Sequence, residues 1–584
     1  MGKIIGIDLG TTTSEIAYIE DGRPVIIAND KYAGPEKTIV PSVVTIKEDE
    51  IIVGQKAKRQ IILKPECTVS EVKRLMGSEE YLNINGQNYL PQQISAMILK
   101  TLKEMAEEAI GEVSEAVITV PANFNDLQRK ATKDAAEIAG LKVERIINEP
   151  TAAALAYGID NLDKDANILV YDLGGGTFDC TVLEMFSGIM DVKASRGNNL
   201  LGGKDFDARI EEYIKNYISS ATSIDINKLN LRKKSEIKDV AERAKKDLSV
   251  ESTTEIILTN LGIDENGDPI DVEFELTRAK FDEITKDLIN ETEVIINETL
   301  QAAGKKIDEI DVVLAVGGSS RMLSVQKLLK EKFGDKVQKG INPDEAVALG
   351  AAVQAGIKSD EISSENGLIV TDACSYTLGI EIIGERFSKL IRRDSKLPIK
   401  TSQIYQTTVD DQTVMAIDVY QGEDNCVRND FFIGGFDLEG IPMAPAGEEK
   451  VKVTFEYDLN EILKVSAEIL STGKVQTGVM STKGLSKETI KGLQEQTFKN
   501  QTRNEEIIDI DDIEVVDDSW RESKLYEKVK VSVSLAEIKL PNLSGNTKSE
   551  IENILNKIKD AILSEDENKV EELDEKLTDI LFEL

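Results

Sequence analysis

The stretch IIGIDLGTTTSE at residues 4–15 recurs as ILVYDLGGGTFD at residues 168–179, and this repeat decides the fold. In each copy a β-branched run ends in Asp and Leu, and a turn rich in Gly and Thr follows. Such a run predicts a strand that leads into a tight turn. Because the same device occurs twice in the chain, we expect two similar lobes.

The residues of the two turns indicate phosphate binding. Glycine lets the backbone bend and approach a ligand, while free amides and hydroxyls donate hydrogen bonds to phosphate oxygens. Asp8 and Asp172, each at a strand end, can hold a hydrated cation. A single Gly-rich turn is typical of an ordinary hairpin, but two facing turns would clamp a polyphosphate and its Mg²⁺. The turn residues are Gly10, Thr11, Thr12 and Thr13 in the first copy and Gly174, Gly175, Gly176 and Thr177 in the second.

Composition narrows the classes of function. The 584 residues exceed the size of one hydrophobic core, so we expect three or four domains. A net charge of −36 disfavours nucleic acid and anionic membranes as main partners, because phosphate groups would be repelled. The chain has no histidine, which excludes Ser/His/Asp triads and His-ligated metals. Its chemistry must therefore use carboxylates, lysine and hydroxyls.

Cysteine spacing and hydropathy indicate a cytoplasmic protein. The four cysteines are scattered without a CxxC pair, as is usual in a reducing compartment. The sequence contains no apolar run long enough to span a bilayer, and the start MGKIIGID lacks the pattern of a signal peptide. We therefore expect a cytoplasmic location.

The character of the sequence changes along the chain. Strand-like and helix-like segments alternate over residues 1–358, which predicts α/β lobes. Residues 359–372 are mostly polar, apart from a short apolar string in LIVTD, and indicate a linker. Residues 373–484 carry short strands with closely spaced turn signals, which predict an all-β module. The remaining residues, 485–584, are expected to be mainly helical.

The end of the chain has helical periodicity. Apolar residues from Ile551 to Leu584 recur at spacings of three and four, which predicts an antiparallel helical hairpin with an ordinary core. The acidic segment at 505–518 shows no pattern that assigns a structure.

Several motifs, taken in order, resemble the seventy-kilodalton heat-shock chaperones, and among them the bacterial DnaK type. The resemblance implies a multidomain protein with an actin-like α/β ATPase of two lobes, a β-sandwich that binds peptides, and a C-terminal α-helical lid. Residues 497–545 depart from the family's long lid helix. The motifs are IGIDLGTTTS, VGQKAKRQ at 53–60, VITVPANFNDLQRKATKDAAEIAG at 117–140, INEPTAAALAYG at 147–158, YDLGGGTFD at 171–179, LGGKDFD at 201–207, AVGGSSR at 315–321 and NPDEAVALGAA at 342–352.

By resemblance, the catalytic residues surround the phosphates of ATP. Asp8 and Asp172 would hold the hydrated Mg²⁺ and an accompanying K⁺. Lys58 would lie beside the γ-phosphate and the attacking water, which Glu149 and Asp179 would help to order. Such a site acts mainly by positioning the water and neutralising the charge that grows on the phosphates.

A second set of residues would bind the nucleoside of ATP or ADP. Glu242, Lys245 and Ser249 lie on one face of a predicted helix, a spacing that is equally typical of a surface salt bridge. By resemblance, this triple would contact the adenine and ribose. The resemblance adds to the nucleotide site Gly202, Gly203, Gly317, Gly318, Ser319, Arg321 and Asp344.

The all-β module resembles the family's peptide groove. An extended peptide would be held by backbone hydrogen bonds, with one apolar side chain in a central pocket. By resemblance, Phe387 and Thr408 would form the arch, and Met415 and Ile417 would line the pocket. For Ile417, a place in the sandwich core remains an alternative. The matching segments are 377–382, 385–398 and 407–423.

The resemblance also implies partners and a working cycle. Unfolded or extended polypeptides would be the clients, in an ATP-driven cycle that serves protein folding and the stress response. Pro121 and Arg129 match the relay between the nucleotide and peptide domains. Arg145 and Asp372 match positions that contact J-domain co-chaperones, and a nucleotide exchange factor of the GrpE type would complete the cycle.

The sequence departs from the family at points that bear on coupling and clients. LIVTD replaces a run of leucines, and the Thr371 hydroxyl stands where the family has an apolar side chain, so we expect weak coupling. Thr408 and Met415 also differ from the family residues, which indicates a different client preference.

Three other functions are alternatives to that of a chaperone. A small-molecule kinase could use the same two turns, but residues 373–484 argue against it. The net charge of −36 disfavours an actin-like filament. A chaperone paralogue dedicated to one client stays open.

Overall fold

The computed structural model describes residues 3–34, 37–47, 50–263, 269–338, 342–362, 369–458, 463–480, 485–498, 524–540, 546–564 and 567–582. The chain divides into two compact units, Met1–Thr502 and Arg503–Leu584. Within these described ranges, the helices are all too short or too polar to cross a membrane.

The first lobe shows the predicted alternation of strands and helices. Its strands are β1 (Lys3–Leu9), β2 (Thr13–Glu20), β3 (Arg23–Ile26), β4 (Val40–Pro41), β5 (Val43–Lys47), β6 (Glu50–Val53), β7 (Thr68–Ser70), β8 (Leu82–Ile84), β9 (Gln87–Tyr89), β10 (Val113–Val120) and β11 (Lys142–Asn148). Its helices are α1 (Asp30–Ala33), α2 (Gln55–Leu63), α3 (Pro91–Ile110), α4 (Asp126–Ile138) and α5 (Glu149–Gly158).

The second lobe follows with the same mixture of elements. Its strands are β12 (Ala166–Leu173), β13 (Phe178–Phe186), β14 (Ile189–Asn198), β15 (Thr253–Leu258), β16 (Val272–Thr277), β17 (Val312–Val316) and β18 (Ile369–Thr371). Its helices are α6 (Gly203–Ala221), α7 (Leu231–Leu248), α8 (Arg278–Ile284), α9 (Lys286–Ala302), α10 (Leu323–Phe333) and α11 (Ala346–Lys358).

The main sheets of the two lobes repeat one topology. In the first sheet, ordered β11-β10-β1-β2-β3, β1 lies between its parallel neighbour β10 and its antiparallel partner β2. In the second sheet, ordered β17-β12-β13-β14-β18, β12 lies between its parallel neighbour β17 and its antiparallel partner β13. The two Gly/Thr turns therefore connect equivalent strands, and the duplication predicted from the sequence is confirmed.

Helix α11 joins the two sheets by very close packing. A Cβ added at Gly350 would overlap the backbone of Ala152 in α5, and one added at Gly6 would overlap the backbone of α11 at Ala352. The hydrophobic cluster around this helix includes Val117 of the first sheet and Val170 of the second. Small residues at these contacts let the sheets approach each other.

The all-β region forms a sandwich of two four-stranded sheets, ordered β20-β19-β22-β23 and β21-β24-β25-β26. Alternate residues of KVKVTFEY in β24, namely Val451, Val453, Phe455 and Tyr457, are buried in a core that both sheets share. This period of two is the pattern of a strand with one buried face. The strands are β19 (Leu378–Ile382), β20 (Arg386–Ile391), β21 (Ile399–Gln406), β22 (Val414–Gln421), β23 (Phe431–Glu439), β24 (Lys450–Tyr457), β25 (Leu463–Ile469) and β26 (Val475–Met480).

Helix α12 (Lys487–Phe498) follows the sandwich but packs on the first lobe. Ile490 enters the core of that lobe, and the amide of Leu485 donates to Asp134 Oδ2 at 3.0 Å. Gln93 of α3 donates to Thr497 Oγ1 at 3.1 Å. The end of the sandwich is thus attached to α3 and α4.

The second unit contains α13 (Lys524–Lys539), α14 (Asn546–Leu563) and α15 (Glu567–Phe582). The predicted apolar stripe supplies its core, since Ile551, Ile558 and Leu577 are buried there. The two predicted helices are confirmed as α14 and α15, which pack together. Helix α13 lies in the stretch 497–545 that departs from the family's long lid helix, while residues 505–518, to which the sequence assigned no structure, lie outside the described residues.

Candidate functional site

The two Gly/Thr turns face each other across a cleft. A Cβ added at Gly175 would overlap the side chain of Thr12, and one added at Gly176 would lie 2.6 Å from Thr11 Cγ2. Only a residue without a side chain leaves room between the turns. The second turn is closed by a hydrogen bond from the Gly174 amide to the Thr177 carbonyl at 3.0 Å. The predicted pairing of the turns is therefore present.

Four carboxylates lie behind the turns. Asp8 ends β1 and accepts a hydrogen bond from Thr119 Oγ1 at 2.8 Å. Asp172 and Asp179 are direct cross-strand partners on β12 and β13, and Glu149 begins α5. The last three are buried, so the strand ends of both lobes bring negative charge to one place.

The environment of Asp8, Asp172 and Asp179 favours the neutral forms of these three side chains. Burial, together with the charge of Glu149, raises the pKa of Asp8 to about 7. Burial raises the pKa of Asp179 to about 6, although Asn123 Nδ2 and the Ala122 amide donate to it at 2.5 and 3.0 Å. Burial and the charges of Glu149, Asp179 and Asp8 raise the pKa of Asp172 well above its usual range. The cluster would ionise fully only beside added positive charge.

One positive side chain already lies in the cluster, and it is Lys73. Its Nζ lies 2.5 Å from Glu149 Oε1, with both side chains buried. Its charge opposes the effect of burial on the pKa values of Asp8, Asp172 and Asp179. One lysine does not balance four carboxylates, and Asp172 Oδ2 receives no hydrogen bond from the described residues. The arrangement therefore favours added positive charge, although these carboxylates do not converge as a set of three or more direct metal ligands.

The structure does not place Lys58 in this cluster. Its Nζ lies 3.3 Å from Glu242 Oε1, and about a third of its side chain is exposed. Glu242 also pairs with Lys204 at 3.1 Å and Lys246 at 2.9 Å. Lys58 thus joins a bridge between α2 and α7, whereas Lys73 is the lysine that lies among the carboxylates.

Sequence reasoning missed Lys73 because no glycine turn marks it. It lies on a 3₁₀ helix, Val72–Leu75, in the segment SEVKRLMG. The available signal was a lysine among apolar neighbours, since Val72 and Met76 are core residues. A lysine that the chain buries is rare unless it is paired.

Arg74 is a second residue that sequence reasoning missed. Its Nη2 donates to the Gly176 carbonyl at 2.8 Å and lies 2.5 Å from Asp205 Oδ2. Asp205 in turn accepts from the Gly202 amide at 2.7 Å. Arg74 therefore connects the first lobe to the second Gly/Thr turn.

The predicted nucleoside residues converge on the second turn. Ser319 Oγ donates to the Gly174 carbonyl at 2.9 Å, and Lys245 Nζ donates to the Gly203 carbonyl at 3.0 Å. Ser249 Oγ donates back to the Lys245 carbonyl at 3.0 Å. These bonds connect the turn, α6 and α7.

The remaining nucleoside residues lie beside them. Gly317 has a φ of 78°, and a Cβ there would overlap the Leu173 carbonyl. A Cβ at Gly318 would lie 3.0 Å from Asp344 Oδ1, and Arg321 Nη2 lies 2.6 Å from Asp344 Oδ2. The structure thus brings all the predicted nucleotide-binding residues except Lys58 to the surroundings of the two turns.

The residues predicted to bind peptide differ in how far they are exposed. Phe387 is buried, with 8% of its surface exposed, and faces the backbone of Gly379, so it does not form an exposed arch. Ile417 is fully buried in the sandwich core, as the alternative held. Thr408 is exposed, and its amide donates to Gln412 at 2.8 Å. Met415 is half-buried against the core.

Arg129, one of the two predicted relay residues, and Asp372, predicted as a J-domain contact, both bond to Asn148, the neighbour of Glu149. Arg129 Nη2 donates to Asn148 Oδ1 at 2.7 Å and to Ser375 Oγ at 3.4 Å. Asn148 Nδ2 donates to Asp372 Oδ2 at 2.9 Å. Two adjacent residues therefore connect the carboxylate cluster with the segment that leads to the sandwich.

The other two coupling residues do not make this contact. Pro121 is buried and directly follows β10. Arg145, three residues before Asn148 in β11, donates from Nη1 to Gln354 Oε1 of α11 at 2.6 Å. Asp372 itself is buried.

A separate cavity of about 630 Å³ lies at the far end of α5. Its lining includes Tyr157, Lys164 and Asp311 and none of the predicted nucleotide residues. Among the described residues, no group of three or more Asp, Glu or Cys side chains is arranged to bind a metal ion.

Comparison with protein families agrees with this geometry. The family model for the Hsp70 protein matches residues 4–83 and 79–584. That match covers nearly the whole sequence, including both phosphate turns, the sandwich and the C-terminal helices. The chain belongs to the Hsp70 protein family.

Proposed function

We propose that this protein uses ATP hydrolysis in the cleft to control how its sandwich binds and releases extended hydrophobic segments. The family supports the coarser part of this proposal, because Hsp70 proteins are ATPases that bind ATP or ADP with Mg²⁺ and act as chaperones on unfolded polypeptides together with co-chaperones. The observation that carries the proposal is the adjacency of Asn148 and Glu149, because one contacts the segment leading to the sandwich and the other the carboxylate cluster.

The cleft residues can divide the work of hydrolysis. Asp8 and Asp172 would hold a hydrated Mg²⁺, with K⁺ beside it, and water would complete the coordination. Magnesium supplies positive charge to the phosphates when it is bound. The turn amides and the hydroxyls of Thr11, Thr12 and Thr177 would bind phosphate oxygens.

Lys73 is the residue best placed to act on the terminal phosphate. Glu149 fixes its ammonium group at 2.5 Å, so little reorganisation is needed as negative charge grows. Glu149 and Asp179 would orient the attacking water, since each carboxylate oxygen can accept more than one hydrogen bond. Lys58 would instead bind Glu242 and so help to hold α2 against α7.

The nucleoside would lie between α7 and the turn at Gly317. Glu242, Lys245 and Ser249 present polar atoms from the helix, and Ser319, Arg321 and Asp344 present them from the other side. Because Lys245 is already bonded to the Gly203 carbonyl and lies 2.7 Å from Asp207 Oδ1, it holds this wall in place.

The sandwich is bonded to the lobes in a way that can transmit the nucleotide state. Gln421 exchanges hydrogen bonds with Asp126 of α4, at 3.2 and 3.3 Å, and Tyr457 donates to the same carboxylate at 3.1 Å. β18 pairs in parallel with β14. We assign this docked arrangement to ATP and a released one to ADP, and we expect J-domain and GrpE-type partners to act on the exchange between them in the cytoplasm.

The proposal is tested by adding an unfolded peptide to the full-length protein. Steady-state ATP hydrolysis should rise severalfold with peptide concentration and saturate, because a ligand of the sandwich shifts the same equilibrium as nucleotide. A folded protein of similar size is the control ligand. An unchanged rate at saturating peptide would leave an ATPase without a coupled peptide site.

A further inference from the structure

Strand β14 contacts the linker strand and the sandwich at once. Its Asp191 lies beside Thr371 in the parallel register of β14 and β18. Thr371 Oγ1 donates to Asp191 Oδ1 at 2.8 Å. The hydroxyl that departs from the family pattern is therefore bonded to the lobe.

The second oxygen of Asp191 is bound by two lysines. Lys193 Nζ of the same strand lies 2.8 Å away, and Lys396 Nζ of the sandwich lies 2.5 Å away. Burial raises the pKa of this carboxyl, but the hydrogen bonds from Lys193, Lys396 and Thr371 outweigh it and lower the pKa to about 2. Asp191 thus remains ionised near neutral pH.

A second pair of opposite sign lies five residues further along β14. Arg196 binds Asp394 through two parallel hydrogen bonds, Nη1 to Oδ1 at 2.8 Å and Nη2 to Oδ2 at 2.7 Å. The side chains are 20% and 24% exposed. Bidentate pairs of this kind fix orientation as well as distance.

The two ion pairs between β14 and the sandwich have opposite polarity. β14 presents a negative residue, Asp191, and a positive one, Arg196, while the sandwich presents Lys396 and Asp394. A shift of the sandwich along β14 would bring like charges together, and like charges exclude a wrong register. Partly exposed pairs are individually weak and are screened by salt.

We propose that Asp191 and Arg196 are positioning residues that form a salt-sensitive latch, and that the latch sets how strongly nucleotide controls the sandwich. The proposal rests on the proposed function, because it concerns the docked arrangement assigned to ATP. It predicts that Thr371, Lys396 and Asp394 stabilise docking, and that docking weakens as ionic strength rises.

Neutral contacts at the same interface should not respond to salt in this way. The example is Tyr376, whose OH donates to the Asn123 carbonyl at 2.7 Å. The part of the docking free energy that depends on salt is therefore the contribution of the latch.

The test uses the full-length protein and a fluorescent peptide. Peptide dissociation rates are measured with saturating ATP and saturating ADP, at about 50 mM and about 500 mM salt, which shortens the screening length from more than 10 Å to less than 8 Å. The ATP-to-ADP ratio of rates should fall at least about threefold at high salt in the wild type. This arm needs no substitution, so folding of variants does not affect it.

Charge reversal and its rescue supply the second arm. Arg196→Glu should reduce the ratio at low salt about fivefold or more, and Arg196→Glu with Asp394→Arg should restore most of it. Basal ATP hydrolysis should stay within about twofold of the wild type in both, since neither residue belongs to the cleft. Lys400→Glu is the matched control, because Lys400 pairs with Glu456 inside the sandwich.

The outcomes separate the latch from the proposed function. The latch proposal would be wrong if the ATP-to-ADP ratio of peptide dissociation rates in the wild type did not change with salt. It would also be wrong if Arg196→Glu kept the wild-type ratio. Either result would leave the proposed coupling of nucleotide and peptide binding intact. The latch proposal would likewise be wrong if Arg196→Glu reduced this ratio and the added Asp394→Arg substitution did not restore it. Equal rates in ATP and ADP for the wild type at low salt would refute the proposed function and the latch together.

Discussion

The cleft and the β14 contact use the same residue types but differ in balance and burial. In the cleft, Asp8, Asp172, Asp179 and Glu149 share one lysine, Lys73, and three of these carboxylates are buried. Along β14, each charge meets an opposite charge and remains partly exposed. Buried, unbalanced charge is costly unless a ligand compensates it, whereas balanced surface pairs form and separate easily. The first arrangement suits a ligand site and the second a reversible contact.

The largest effect is expected from Lys73, the lysine that pairs with Glu149 in the carboxylate cluster. Lys73→Ala removes the charge fixed by Glu149, so the single-turnover rate of ATP hydrolysis should fall by about 10²- to 10³-fold. ATP affinity should stay within about tenfold of the wild type, because the turns keep their phosphate contacts. Thermal unfolding must be followed in parallel, since Glu149 loses its ionic partner.

Lys58→Ala is the matched control for that experiment. Its partner, Glu242, keeps Lys204 and Lys246, and the pair is partly exposed, so hydrolysis should change by no more than about threefold. Loss of hydrolysis in Lys58→Ala, with activity kept in Lys73→Ala, would return the catalytic role to the residue that the sequence indicated.

A smaller effect is expected from crowding the two turns. Gly175→Ala places a Cβ against Thr12. Overpacking of this kind costs about 1 to 3 kcal/mol, which corresponds to roughly 5- to 150-fold weaker nucleotide binding. Gly492→Ala is the control, because nothing lies within 4 Å of its added Cβ. Unchanged nucleotide affinity in Gly175→Ala would mean that the turns do not face each other across the ligand.

The contact at α4 should depend on pH. Burial raises the pKa of Asp126 to about 6, although Arg129, Tyr457 and Gln421 lower it. The ionised form is thus disfavoured when the sandwich is docked. Docking should therefore become stronger as the pH falls from about 6, the pKa of Asp126 in the docked protein, toward about 4, the ordinary pKa of an aspartate. This gain should be lost as the pH rises through about 6.

Asp126→Asn isolates this contribution from other titrating groups. Between about pH 7.5 and pH 5.5 the ATP-to-ADP ratio of peptide dissociation rates should rise about two- to tenfold more in the wild type than in Asp126→Asn. Identical pH profiles for the two proteins would contradict a buried carboxyl at this interface.

The smallest effect is expected at the linker. Thr371→Val keeps the shape but removes the hydroxyl that donates to Asp191. A hydrogen bond of this kind contributes about 0.5 to 1.5 kcal/mol, so the same ratio should fall about two- to tenfold. Thr371→Ser keeps the donor and should retain more of the ratio. A higher ratio in Thr371→Val would support the sequence-based expectation that the hydroxyl weakens coupling.

Sequence reasoning succeeded where chemistry is local. Asp8 and Asp172 are marked by the strand and turn that follow each other in the chain, and the sandwich core by its period of two. It failed at Lys73, whose partner Glu149 lies 76 positions away. It also did not predict the hydrogen bond from Thr371 to Asp191, because the two residues lie 180 positions apart. Phe387 was misplaced because a motif match does not fix which face of β20 is buried.

The central claim is that a single coupling free energy links nucleotide binding and peptide binding. Equilibrium affinities test this claim most directly. The affinity of a fluorescent peptide for the wild-type protein is measured with a non-hydrolysable ATP analogue and with ADP. We predict weaker peptide binding with the ATP analogue by about 5- to 150-fold, and an equal factor for the effect of peptide on nucleotide affinity. Equal peptide affinities in the two nucleotides would contradict the account.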